Sequence, residues 1–378
     1  MVRGKEIDDS FIFDDVWEDK RKKEIKSKNI KQVWISMFQW PIPINGLAVN
    51  DLTGDGNLEV AGVSDDHFLK IFDHEGKELW NKDLYDGLSF VRIKKITSQT
   101  DNDVIVGGAD KKLHVFDKNG NEIWNKLSKK WWYNAKIFDI NNDGENEVIA
   151  GCRDRFLYVL KGKTGEEIWK HKFDAYIKFL DVNDNLIAAA ADDGILKIFD
   201  DKGNEIYTDE LNEIIIYCEF VKVQDTLFLG VASGEGEFKI YNVNEKKIVL
   251  EKDLDDKITS FKITNLLSNE LNIIYGDRNA KLYLMKLNGE KIWEISTNEE
   301  NYCIAIGDIH AKGVNDIVIG GMDSVLRILS AKDGTIRSFY HLDNFVTNII
   351  LADIDKDNEL EIITSGRDRT IRVFKEEV

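Results

Sequence analysis

Apolar and polar residues alternate with a period of two over short runs, and the runs return in a fixed order. Between Gly62 and Asp83 (GVSDDHFLKIFDHEGKELWNKD) a short apolar run leads into an Asp-containing turn. Phe68, Lys70 and Phe72 then alternate with Leu69 and Ile71, a glycine turn follows, and a final run carries Trp80. This pattern predicts three consecutive strands joined by tight turns. It recurs as GGADKKLHVFDKNGNEIW (107–124), GCRDRFLYVLKGKTGEEIW (151–169), AADDGILKIFDDKGNEIY (190–207) and ASGEGEFKIYNVNEKKIV (232–249). YGDRNAKLYLMKLNGEKIW (275–293), GGMDSVLRILSAKDGTIR (320–337) and SGRDRTIRVFK (365–375) complete eight copies.

The residues closing the middle strand of each copy are Asp73, Asp117, Lys161, Asp200, Asn242, Lys286, Ser330 and Lys375, at intervals of 39 to 45 residues. That is the period of one four-stranded propeller blade. The expected fold is therefore all-β, an eight-bladed β-propeller over residues 30–378. Five copies carry Trp80, Trp124, Trp169, Tyr207 or Trp293 on the outer strand, whereas the eighth ends at Phe374 without one. Trp34, in KQVWISMFQW, supplies the missing residue, so residues 31–37 are expected to pair beside 370–375 and close the last blade without a free edge. Residues 1–29 stand outside the repeat. Acids from Asp14 to Asp19 precede bases from Lys20 to Lys26, an order that suits a short helix.

Composition narrows the partners. The 378-residue chain carries a formal charge of −18, which repels a phosphate backbone, so nucleic acid is not expected as a ligand. No apolar run is long enough for a membrane span, and the first residues lack the apolar core of a signal peptide. Cys152, Cys218 and Cys303 are widely spaced and read as small buried hydrophobes in a reduced, cytoplasmic protein.

The first chemical motif is an Asp-rich turn. Asp51, Thr53, Asp55, Gly56, Asn57 and Glu59 place side-chain oxygens at positions 1, 3 and 5, a carbonyl at 7 and a carboxylate at 9. Such a set can converge on one hard cation, with glycine permitting the sharp bend. It recurs as Asp139, Asn141, Asp143, Glu145 and Glu147, and as Asp353, Asp355, Asp357, Glu359 and Glu361. Structural calcium is the expected ion. Asp/Asn/Gly turns also form without metal, because these residues dominate turns anyway. In blade seven, Asp308, His310, Lys312 and Asp316 keep the frame with a lysine at position 5, where an ammonium could replace the ion by pairing with the two aspartates.

The stretches DLTGDGNLEVAGVSDD, DINNDGENEVIAGCRD and DIDKDNELEIITSGRD resemble FG-GAP/VCBS repeats. DHEGKELW, KGKTGEEIW and KLNGEKIW are similar to the Gly-x-x-x-Trp repeat of quinoprotein (PQQ-dehydrogenase-like) propellers. The combination looks most like intracellular FG-GAP propeller scaffolds such as those of the BBSome. The resemblance implies eight blades, calcium in some turns and a scaffold role, with a quinoprotein-like enzyme using the central pocket as the alternative. That alternative is weakened by the residues, since no two cysteines are adjacent. The six histidines form no zinc spacing, and there is no nucleophile elbow or Walker loop. No organic cofactor and no catalysis are expected.

What remains is the face where the loops converge. The turns between second and third strands carry Arg153, Arg155, Arg367 and Arg369, and the inter-blade link KKWWYN carries Lys129, Lys130, Trp131, Trp132 and Tyr133. Exposed aromatic and basic side chains are the composition of an interaction hot spot, so a protein or peptide partner is expected there.

Overall fold

The computed structural model describes residues 27–38, 43–267 and 270–377, and every regular element among them is a β-strand. The strands form eight antiparallel sheets, seven of four strands and one of five. In the first blade, Ile44–Asn50, Glu59–Ser64, Phe68–Phe72 and Glu78–Asp83 are each hydrogen-bonded to the next in sequence, and this meander repeats round the ring. Inner strands pack against their neighbours in turn, until Val346–Ala352 of blade eight packs on Ile44–Asn50 of blade one. The expected eight-bladed propeller is thus the observed fold.

The burial pattern explains why the strands of one blade read so differently. Second strands such as Glu59–Ser64 and Asp103–Gly108 are buried along their whole length, because a neighbouring blade covers each face, and they read as continuous apolar runs. Outer strands such as Glu78–Asp83 alternate exposed and half-buried residues. Gly107 and Gly320 lie on second strands for want of space: a Cβ at Gly107 would stand 2.8 Å from Trp132 Cβ, and one at Gly320 2.6 Å from Val346 Cβ. The core is correspondingly divided into clusters at blade junctions. Leu69 and Ile71 of blade one meet Val91, Ile93 and Phe116 of blade two in one such cluster.

The outer-strand tryptophans join blades. Trp80 Nε1 donates to Lys118 O in the next blade (2.9 Å), Trp124 to Gly162 O (2.8 Å), Trp169 to Asp201 O (3.0 Å) and Trp293 to Ala331 O (2.9 Å). Each acceptor lies in the turn between third and fourth strands. The turn glycine presses on the indole: Gly165 has φ 71°, and a Cβ there would come 2.7 Å from the Trp124 ring. Glycine is needed both for the left-handed backbone and for the close approach.

The N-terminal strand supplies the same device at ring closure. Ile30–Met37 pairs antiparallel with Thr370–Glu376, Trp34 opposite Val373, and Trp34 Nε1 donates to His74 O at 2.9 Å. Further upstream, Ser27–Lys28 pairs with the outer strand Ile336–His341 of blade seven, so this segment bridges the last two blades. Junction four to five departs from the pattern at both partners. Tyr207 replaces the tryptophan, and Lys246, with φ 52°, takes the glycine's place, leaving a cavity of about 190 Å³ beside Leu186, Ile198 and Ile206. At junction seven to eight, Ser338 stands where the indole would and contacts Glu376. Arg337 bridges Asp316 (2.8 Å) and Glu376 (2.6 Å), and His310 Nε2 lies 3.0 Å from Glu376. Burial would raise the Glu376 carboxyl, but Arg337 and Ser338 outweigh it and hold it below the usual carboxylate range.

A second regularity runs through the third strands, whose third residue can form hydrogen bonds in every blade: Lys70, His114, Tyr158, Lys197, Lys239, Tyr283, Arg327 and Arg372. Several of them take the aspartate of the preceding turn as partner, as in Tyr158 with Asp154 (2.7 Å) and Arg372 with Asp368 (2.8 Å). His114 lies between Asp110 (2.7 Å) and Glu122 (2.5 Å). Burial alone would lower its pKa from 6.5, but the two carboxylates raise it.

Two outcomes follow from this packing. Deleting residues through Phe38 removes the buried side chains of Ile30, Trp34 and Phe38 and exposes the edge of Thr370–Glu376. It is expected to cost on the order of 5 kcal/mol, and an unchanged thermal transition would contradict the closure. Folded His114 holds its proton more tightly than the unfolded chain does. Its contribution is therefore complete below the ordinary value of 6.5 and is lost as pH rises through the raised folded value. His114→Gln is expected to cost about 1–2 kcal/mol at pH 6, with the gap narrowing by pH 9 in thermal melts.

Candidate functional site

The turns between first and second strands all lie on one face, where they are laced to one another. Leu58 N donates to Ile354 O of the neighbouring blade (3.2 Å), and Leu360 N to Ile309 O (2.8 Å). Within each turn the position-nine glutamate caps backbone amides: Glu59 Oε2 accepts from Leu52 N (2.7 Å), Glu147 from Ile140 N (3.1 Å) and Glu361 from Ile354 N (3.0 Å). Asp139 accepts from Asp143 N (3.1 Å) and Gly144 N (2.9 Å), and Asp353 does the same for Asp357 and Asn358. The carboxylates therefore hold the bend from inside while their remaining lone pairs face its centre.

The three turns differ in electrostatics. In blade three, burial pushes Glu147 up to about 7, and Asp143, Asp139 and Glu145 add to the rise. Burial likewise raises Glu59 in blade one, with Asp55 and Asp51 adding. Blade eight gathers ligand oxygens of Asp353, Asp355 and Glu361 within 4.8 Å of one another. It also admits a lysine: Lys375 Nζ contacts Asp357 and stands 3.3 Å from Glu361 Oε1 and 3.6 Å from Glu359 Oε2. Convergence thus favours blade eight as an ion site, while weaker pairing of the carboxylates favours blades one and three, where Lys356 reaches only the Asp55 carbonyl (2.8 Å) and Lys163 stands 4.0 Å from Glu145. Charge is the better guide, because an ammonium already in place must be displaced before a cation can enter. The substitution of lysine for ion anticipated in blade seven is found in blade eight instead. Exposed Lys312 donates only its amide to Asp308 (2.9 Å), and Asp316 is held by Arg337.

The opposite face carries the turns between second and third strands together with the inter-blade links, stitched by backbone bonds such as Arg153 N to Trp131 O (2.8 Å) and Arg367 N to Phe345 O (3.0 Å). One expectation is corrected here. Trp132 is wholly buried, with Nε1 on Lys111 O (3.1 Å) and its ring 5.1 Å from Tyr158. It opens an inner strand, and a register shift between Trp132 and Asn134 turns it inward. The neighbouring residues do assemble. The Arg153 guanidinium lies over exposed Trp131 (5.1 Å) and over Tyr176 (5.4 Å), which stacks on Tyr133 (5.4 Å). Lys129 and Lys130 are exposed beside them. Arg155 instead donates to Asp174 O (3.4 Å), and Arg367 lies over Phe345 in blade eight (5.5 Å), far from the stack. Arg369 shares the Arg367 turn.

The axis carries a ring of charge that repeat-by-repeat reading had missed. Arg92, Lys136, Asp181, Glu219 and Lys262 each stand four residues after the first residue of their inner strands. Lys136 pairs with Asp181 (2.8 Å) and Lys262 with Glu219 (3.3 Å), while Arg92 reaches Asn134 Oδ1 (2.7 Å). Desolvation pulls Arg92 down to about 10. Aligning the eight inner strands on their opening residues would have shown the ring. Above it, on the loop face, a cavity of about 730 Å³ opens between blades five and eight, lined by Tyr217, Lys257, Arg278, Tyr302 and Met322 among others. Cys303 faces it as a thiol that burial pushes up to about 12, bonded to Gly320 O (3.3 Å). Such a thiol is a poor nucleophile, and the lining is suited to holding an aromatic or anionic group.

The fold defines the class of protein as an eight-bladed β-propeller. No protein-family model matches the chain, and no curated protein matches it either. Among solved structures it is similar to the computationally designed Ika8 protein, at a TM-score of 0.73 and 17% identity over 91% of this chain and 100% of that one. It is also similar to BamB from Moraxella catarrhalis, at a TM-score of 0.66 and 17% identity over 92% of this chain and 97% of that one. At that identity the likeness is one of fold.

Proposed function

We propose that the protein is a non-enzymatic, cytoplasmic interaction scaffold that binds a protein or peptide partner on its loop face. The observation that carries this reading is the stack of Trp131, Arg153, Tyr176 and Tyr133. An exposed indole and guanidinium beside two tyrosines offer apolar area and directional polar contacts together, the chemistry of an interaction hot spot. Lys129 and Lys130 at the rim favour a partner with an acidic flank. A quinone-type cofactor in the axial cavity has less support: Lys257, Lys262 and Arg278 suit an anionic ring, but no paired cysteines stand among the lining residues.

The second part of the proposal is structural calcium in the turns of blades one and three. Asp51, Thr53, Asp55, the Asn57 carbonyl and Glu59 would hold one ion. Asp139, Asn141, Asp143, the Glu145 carbonyl and Glu147 would hold the other. The ion would supply positive charge beside the buried Glu59 and Glu147 and the more exposed aspartates around them, stiffening bends that join neighbouring blades.

A Trp131→Ala, Arg153→Ala double variant is expected to melt within about 1 kcal/mol of the parent, because both side chains are exposed. It should lose at least about tenfold in affinity for partners recovered by the parent, and a variant that recovers the same partners equally well would refute the loop-face reading. In chelator-stripped protein, calcium is expected to raise the melting temperature. Asp143→Ala should weaken that response more than Asp353→Ala, since Lys375 already pairs with Asp357, Glu359 and Glu361 in blade eight. No calcium response would leave these bends as metal-free turns.

A further inference from the structure

Residues 1–26 precede the described structure, and their sequence holds one concentrated acidic block. From Glu6 to Asp19 there are seven carboxylates and no lysine or arginine, interleaved with Phe11, Phe13 and Trp17. The structure fixes where this block must start from. Ser27 pairs with Tyr340, next to the last residue of the outer strand Ile336–His341. The pairing is antiparallel, so the chain before Ser27 arrives from the end at which His341 leads into the link to blade eight. That end is the loop face.

The mouth of the axial cavity lies on the same face and beside the same blade. From Ser27–Lys28 to the inner strand of blade seven is four strand spacings, about 19 Å. The ten residues from Trp17 to Ser27 span about 33 Å when extended, and the fourteen from Phe13 about 46 Å. Both reach the mouth with slack. The aromatic stack of blade three stands four blades away, on the far side of the ring.

Charge and shape match as well. The mouth is lined by Lys257, Lys262 and Arg278 against a single lining carboxylate, Glu300. These cations are only partly neutralised: Arg278 is 3.8 Å from Glu300, Lys262 is 3.3 Å from Glu219, and Lys257 contacts Glu235. In a chain of net charge −18 this rim, with three cations against three carboxylates, carries no acidic excess. Tyr302, 43% exposed, forms an apolar shelf with Met322, whose Sδ lies 3.2 Å from the Tyr302 hydroxyl. About 730 Å³ is ample for more than one aromatic side chain.

We propose that the acidic aromatic segment Glu6–Asp19 occupies the mouth of the axial cavity of its own propeller. An aromatic side chain sits on Tyr302 and Met322, and carboxylates face Arg278 and Lys257. The tether gives the segment a millimolar effective concentration, so even weak intrinsic affinity keeps the mouth filled. Any ligand of the cavity must then displace the tail. The surface involved is distinct from the Trp131 stack, so each can fail without the other.

The test is amide hydrogen exchange on the full chain, comparing the parent with two variants: Lys257→Glu, Arg278→Glu in the mouth, and Phe13→Ser, Trp17→Ser in the tail. The tail variant leaves every described residue unchanged, so it reads docking even if the charge reversal disturbs the fold. Both variants are expected to exchange at least about fivefold faster across residues 6–19 and at Tyr302–Ile304, and 1 M salt should do the same to the parent. A parent tail that already exchanges at the rate of free peptide, or variants that match a protected parent, would overturn the proposal. Protection that grows with protein concentration would also overturn it, by assigning the mouth to the tail of a second copy.

Discussion

An indole of one blade reaching a turn carbonyl of the next is the contact on which the ring depends. Each bond fixes one blade's outer edge to its neighbour's outer turn, and the glycine beneath the indole sets how closely the two can approach. Inner strands with small or bulged residues set the spacing at the axis. Where the indole is present, holding the wedge at both its narrow and wide ends constrains the angle between blades. Among the described residues the core is divided into several clusters, so stability is spread over junctions that each resemble a small two-layer core.

Closure changes how two of these junctions are built. The last blade lacks a fourth strand of its own, and Ile30–Met37 supplies both that strand and its docking tryptophan. Because this strand comes from the N-terminus, blade eight has no turn between third and fourth strands to receive an indole from blade seven. Ser338 occupies the position, and the Arg337, Asp316, His310 and Glu376 network fills the space with charge. A buried ionic network costs desolvation that apolar packing would avoid, yet breaking it leaves an unpaired buried charge. The junction is therefore intolerant of single changes.

The two faces of the ring have different chemistry for a structural reason. On one, the Asp-rich turns face inward on their own backbone amides and on neighbouring turns, so their carboxylates are committed to shape before any ion is considered. On the other, the links between blades cross open ground, and aromatic or cationic side chains remain exposed. Arg153 between Trp131 and Tyr176 is held in place by rings rather than by a carboxylate, leaving its hydrogen-bond donors available. Rigid strands beneath such a stack keep the entropic cost of binding low.

The repeat period, the alternation within strands and the absent eighth tryptophan were enough to obtain the propeller, its blade number and the role of Trp34 from the sequence, because each reflects local geometry repeated at fixed spacing. The Asp-rich turns were legible for the same reason. Trp132 was not: its composition matched that of Trp131, and only the bulge opening its strand sends one indole into the core and leaves the other exposed. Likewise the lysine entering the blade-eight turn comes from position 375, on a different strand from the motif it neutralises. The axial charge ring joins side chains from five blades. Contacts between residues distant in sequence depend on how the blades are placed, and that placement belongs to the tertiary structure alone.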